Sequence, residues 1–463
     1  AAGLAVTARS GDSAGKTVQG PEAEFDKLVG QAAEGIYAET QPYRYAAFLT
    51  STGRVEDGLK AYRSLAQTGA LEERGWAYIG LAGVDYYIRG DMEATIRDAR
   101  AAEAFKPPLL QSCSFVAAAE MPLSHYEAAL HEWVRCNDML RNGPVADVPS
   151  SGVAGIITLQ ETNIGVLLGD FAQRDRLHSG SQAFIEGQGR YDVTIAFKVS
   201  SLLQRHDVGG AQRLLDSVQA ARQPLLPGDL AAFQGAKALV LEDWRGVVRM
   251  AEPIMQTGLP PGGAGGAPGG STSLLSRSTG PTLALGYAMT GRRAEAEALA
   301  SRLPLDCDSC LIARGQIAAA ERDWAAAGRW FAAAEAHAPS IPFPDAAWGQ
   351  ALLDKGDLDG AIAKLAAANR KGPKFADPLE AWGEALMRKG DYAGAIARFS
   401  EADKSAPRWG RNHRMWGEAL MLSGHYAEAR AQYLAANGLD LSAADRAAVK
   451  FLLARTASGP LHG

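Results

Sequence analysis

Large apolar residues recur along the last third of the chain at helical spacing, with a longer period laid over it. Trp348, Trp382 and Trp416 stand 34 residues apart, followed four residues on by Leu352, Leu386 and Leu420 and then by Gly356, Gly390 and Gly424. Positions i and i+4 share a helix face, and the glycine ends that helix and permits a tight reversal. After it come Leu358, Tyr392 and Tyr426, the small Ala361, Ala395 and Ala429, and the bulky Leu365, Phe399 and Tyr433. This i, i+3, i+7 stripe predicts a second helix whose small residue lets two backbones approach closely. Pro373 and Pro407 stand where that second helix must stop. Each unit is therefore a helical hairpin.

Carried backwards, the pattern recurs in looser form. Arg314-Gly315 lies 34 residues before Trp348-Gly349, with Trp324, Ala327, Phe331 and Pro339 in register. Earlier copies centre on Gly291, on Glu242-Asp243-Trp244 and on His206-Asp207-Val208. Before those come Gly169-Asp170-Phe171, Ser124-His125-Tyr126, Gly90-Asp91-Met92 and Gly53-Arg54-Val55. Spacing departs from 34 toward the N-terminus, where helices are expected but their register is not set.

The motif residues resemble the tetratricopeptide repeat family over nearly the whole chain, at about eleven hairpins, with residues 342–441 the clearest. The resemblance implies an all-α fold, a right-handed superhelical solenoid of antiparallel helix pairs. The expected layout is a loose segment over 1–20, divergent repeats over 21–256, a Gly/Pro-rich loop over 257–274, repeats over 275–441 and a capping helix over 442–457. A helix from Pro21 to about Tyr37 is expected to cap the first hairpin. Ser442-Ala443-Ala444-Asp445 reads as the capping box that opens the last helix.

The resemblance also implies where a partner binds: the concave groove lined by the first helix of each hairpin. Its positions after the motif glycine are Gln316, Gln350, Glu384 and Glu418, and those two before the Trp are Ile312, Ala346, Glu380 and Arg414, with Arg411 nearby. The expected partner-binding set is Gln316, Gln350, Glu380, Glu384, Arg411, Arg414 and Glu418. The Lys and Asn set with which family members grip acidic chaperone tails is missing at these positions. Each residue has equally good standing as an ordinary solvated side chain.

Composition narrows the function. Net charge is −5 over 463 residues with both signs interspersed, and apolar content is 47%, so neither a nucleic-acid face nor a membrane-spanning bulk is expected. Ser10 to Thr17 imitates a phosphate-binding loop, but Ser10 stands where that loop needs glycine and no βαβ pattern follows. Cys307 and Cys310 have the spacing of a redox or metal half-site without a second ligand pair. A local disulfide or two inert thiols is the expectation. Cys113 and Cys136 fall on the two helices of one hairpin, which permits a bond without requiring one. His125 and His131, six apart, do not share a helix face, and His125 is expected as an exposed turn residue.

No cofactor, metal or small-molecule substrate is expected, and no catalytic residues. The expectation is a non-catalytic adaptor for a peptide or helix of a protein partner. The alternative is a sensory or regulatory module of a larger, membrane-anchored bacterial signalling protein, tethered through a segment before Ala1. The stretch Ala1–Ala8 is compatible with the stub of a signal peptide, with an anchor or with an artificial start, and the expected location is the periplasm, alternatively the cytoplasm.

Overall fold

The computed structural model describes residues 3–11, 15–106, 108–143, 145, 147–149, 152–173, 191–220, 227–257 and 272–457. They divide into two compact units, residues 1–119 with 138–150, and residues 120–137 with 151–463.

The first unit opens with sheet, where a loose segment was expected. Strand β1 (Gly3–Ala8) pairs antiparallel with β2 (Lys16–Pro21), with Val6 opposite Val18. Alternation explains it: Leu4, Val6 and Ala8 turn to the half-buried side, where the pair packs on the first helix. That helix is α1 (Phe25–Thr40), followed by α2 (Pro42–Ser51), α3 (Val55–Thr68), α4 (Leu71–Val84), α5 (Met92–Ala102) and α6 (Leu110–Glu120). The core shared by α2, α3 and α4 gathers Ala46, Leu59, Tyr62, Ala77 and Leu81. A π-helical turn at Asp85–Arg89 widens the end of α4 before Gly90 reverses the chain at φ 65°.

Helix α7 (Tyr126–Asn142) spans the boundary, and the second unit continues through α8 (Val153–Leu167), α9 (Tyr191–Gln204), α10 (Val208–Ala220), α11 (Pro227–Val240), α12 (Trp244–Thr257), α13 (Thr272–Met289) and α14 (Arg293–Ala300). The regular repeats follow as α15 (Asp308–Ala320) with α16 (Trp324–His337), α17 (Phe343–Lys355) with α18 (Leu358–Lys371), α19 (Ala376–Arg388) with α20 (Tyr392–Ser405), and α21 (Gly410–Leu422) with α22 (Tyr426–Asn437). Helix α23 (Ala443–Ala457) comes last. In the first unit α2 to α5 pack each on the next, and in the second unit α15 to α23 do the same. The Gly/Pro-rich stretch 258–271 lies outside the described residues. Thr272 to Leu274, expected in that loop, already belong to α13.

The motif glycines have a steric cause. A Cβ on Gly383 would meet the Phe399 ring at 2.6 Å, and one on Gly417 the Tyr433 ring at 2.5 Å. Phe399 and Tyr433 are fully buried, so the bulky residue of each second helix sits in the notch that its glycine leaves. Ser442 receives the Asp445 amide at 3.1 Å and caps α23. Among the described residues, no helix is long and apolar enough to cross a membrane.

Candidate functional site

Within the second unit, turns of the irregular repeats dock on loops of the regular ones. Nothing in the periodicity announces this. Ser124 Oγ lies 2.9 Å from Ser309 Oγ and accepts the Ser309 amide at 3.1 Å, while the Tyr126 amide donates to Asp308 at 2.6 Å. Asp170 pairs with Lys374 at 2.7 Å, and the Phe171 ring meets Phe375 edge-on. His206 stacks on Trp409 with ring centroids 3.7 Å apart and pairs with Asp377 at 2.9 Å, while Asp207 receives Arg408 at 2.9 Å.

Three turns of the irregular repeats, two of them among those just described, carry a side chain where the regular repeats carry glycine. Ser124, His206 and Glu242 adopt φ of 59°, 59° and 55°, matching Gly356, Gly390 and Gly424 at 87°, 83° and 85°. Left-handed backbone costs a non-glycine residue roughly 1–2 kcal/mol. At Ser124 and His206 the extra side chain makes the cross contact. Arg322, between α15 and α16, has the same backbone at φ 62°.

Between these ties opens a cleft of about 670 Å³. Apolar walls come from both sides, including Phe171, Leu239, Trp244, Met289, Phe375 and Trp409. Leu239 and Met289 remain 38% and 45% exposed there. The charged lining is Glu242, Asp354, Asp377, Glu380, Arg411, Asp440 and Asp445, with His206 in the wall.

The expected partner-binding residues divide at this cleft. Gln350, Glu380 and Arg411 line it. Glu380 and Glu384, expected as open groove carboxylates, are instead 3% and 6% exposed. Arg411 reaches from the next repeat and takes both, at 3.0 Å to Glu380 and 2.8 Å to Glu384, and Arg388 also pairs with Glu384. Burial pushes the Glu380 carboxyl above its ordinary range against the pull of Arg411, while Glu380 holds the Arg411 guanidinium more firmly protonated. Arg414 joins Asp445 at 2.6 Å and Glu418 at 3.0 Å beside the cleft. Gln316 is half-buried and away from its lining, Ile312 likewise, and Ala346 packs against the Phe171–Phe375 cluster.

His125 is not an exposed turn residue. Its ring is held by Glu120 at 2.6 Å, with Arg277 at 3.3 Å and Asp306 at 3.6 Å on the other nitrogen. The hydrogen bond to Glu120 raises its pKa. Cys307 and Cys310 form a disulfide with both residues fully buried, and Asp308 between them pairs with His337. Cys113 and Cys136 are disulfide-bonded as well. Among the described residues, no group of His, Cys, Asp and Glu is arranged to hold a metal ion. A smaller cavity of about 170 Å³ in the first unit is lined by Asp85, Arg89, Arg97 and Asp98. Two ion pairs sit in it, Arg89 with Asp85 and Arg97 with Asp98, each at 3.1 Å, and Arg63 lines it as well.

No family profile and no curated protein matches the chain. Among solved structures, yeast Tom70 is similar at a TM-score of 0.40 and 14% identity, over 92% of this chain and 96% of that one. Pseudomonas aeruginosa PilF is similar at a TM-score of 0.33 and 18% identity, over 40% of this chain and 87% of that one. PilW, a type IV pilus biogenesis factor, is similar at a TM-score of 0.34 and 16% identity, over 39% of this chain and 87% of that one. Likeness at this level carries no site from one chain to the other.

Proposed function

We propose that this tetratricopeptide-like repeat protein is a non-catalytic scaffold that holds a segment of a protein partner in the cleft of its second unit. The observation that carries the reading is the convergence of Leu239 and Met289, large apolar side chains left exposed, on a cavity walled by Phe171, Trp244 and Trp409. Burying such side chains needs an apolar occupant, and binding pockets commonly fall within roughly 300–1,000 Å³. The floor is stiff because Arg411, Glu380 and Glu384 satisfy one another, which shapes the wall instead of presenting a reactive group. The disulfide-bonded cysteines support an oxidising compartment such as the periplasm.

The test is affinity capture with the wild-type chain beside a Leu239→Ser/Met289→Ser variant, both side chains being exposed enough to change without unfolding the unit. Loss of a captured protein in the variant, at unchanged circular dichroism and Tm, is the expected result. Equal capture by both chains refutes the assignment. Charge reversal at Glu380 and Glu384 would measure folding instead, because both are buried.

A further inference from the structure

The charges around the cleft are unevenly matched. Asp445 has Arg414 at 2.6 Å, Glu380 has Arg411 at 3.0 Å, and Asp377 has the His206 ring at 2.9 Å. Arg411 is fully engaged, since its other nitrogen serves Glu384. Glu242, Asp354 and Asp440 also line the cleft, and among the described residues none of the three has a cation within 4.0 Å. Asp354 accepts from Gln350 Nε2 at 3.0 Å, so among the described residues two carboxylates, Glu242 and Asp440, are left with neither a paired cation nor a side-chain hydrogen bond at a cavity whose walls are largely apolar. Low-dielectric walls focus such a field, which repels an anionic segment and attracts a cationic one. A small polycation would leave Leu239, Met289 and Trp244 wet, and a purely apolar segment would leave the carboxylates unanswered.

We propose that the cleft takes a basic segment of the partner, in which lysine or arginine alternates with large apolar side chains. This rests on the reading of the cleft as the partner site. The cation meets Glu242 and Asp440, and the apolar neighbours cover Leu239 and Met289.

The experiment is fluorescence anisotropy with labelled decapeptides of alternating Lys and Leu, of Glu and Leu, and of Lys and Ser. Each is titrated with wild type, with Glu242→Gln/Asp440→Asn and with Leu239→Ser/Met289→Ser. The Lys/Leu peptide is expected to bind wild type best and to weaken at least about tenfold in either variant. Four outcomes overturn the proposal. Lys/Leu binding lost in the Leu239/Met289 variant but unchanged in the charge variant, or stronger binding of Glu/Leu, removes the basic segment while leaving the cleft as partner site. Displacement of the peptide by spermine at equal concentration replaces the peptide with a small polycation. Binding of every peptide that ignores the Leu239/Met289 variant removes the cleft reading and this proposal with it.

Discussion

The imidazole of His206 lies flat on the indole of Trp409, 3° from parallel and 3.7 Å away, although the two belong to distant repeats. The stack joins the irregular and regular parts of the second unit beside the cleft, backed by the Asp377 and Arg408 contacts. Aromatic pairs contribute about 0.5–1.5 kcal/mol beyond their burial. His206→Ala is therefore expected to speed amide exchange in residues 206–209 and 405–411 while residues 358–371 stay protected. Uniform exchange rates across wild type and variant would show that the stack holds nothing in place.

Arg411 and Glu380 should respond unequally to substitution. Arg411→Met strands the buried Glu380 carboxylate and leaves Glu384 to Arg388 alone, a loss of about 3 kcal/mol or more. Glu380→Gln keeps the shape, removes a charge that burial already disfavours and leaves Arg411 paired with Glu384, so its cost is expected to be well below that of Arg411→Met. Urea midpoints followed by tryptophan fluorescence make the comparison, and equal losses would contradict the pairing.

His125 gives the second unit a signed pH dependence. Glu120 holds the folded imidazole protonated to higher pH than in the unfolded chain, helped by Asp306 and opposed by burial and by Arg277. That stability is fully present below the ordinary pKa of 6.5 and is lost as pH rises through the folded value. Wild type should melt higher at pH 6 than at pH 8 by a margin that shrinks in Glu120→Gln. An NMR titration that leaves the His125 pKa unmoved by that substitution would break the link.

The hairpins were legible because local backbone demands are written in single residues. Gly356, Gly390 and Gly424 sit where φ is positive, and the residues one helix further on fill the space beside each motif glycine. The cleft was only partly legible. Gln350, Glu380 and Arg411 are expected from the family pattern in a groove lined by the first helices, with no sign of a second wall, and the burial of Glu380 and Glu384 depends on an arginine from the following repeat. The opposing wall, from Phe171 to Met289, rests on contacts between residues far apart in sequence, and such contacts leave no period to read. The β1–β2 pair was missed because a single short alternation is weak evidence for a strand before its partner is known.

A run of repeats that touch only their neighbours melts piecemeal, each hairpin free to fray from the end. The ties from Ser124, Asp170 and His206 turn that line into a closed loop of dependencies, in which losing one hairpin also exposes a distant one. The second unit should then behave as a single cooperative block that folds more slowly than its helical content suggests, since distant segments must meet before the last contacts form. Its repeats are no longer interchangeable parts: restoring glycine at Ser124 or His206 would relax the backbone and cut the circuit at the same stroke.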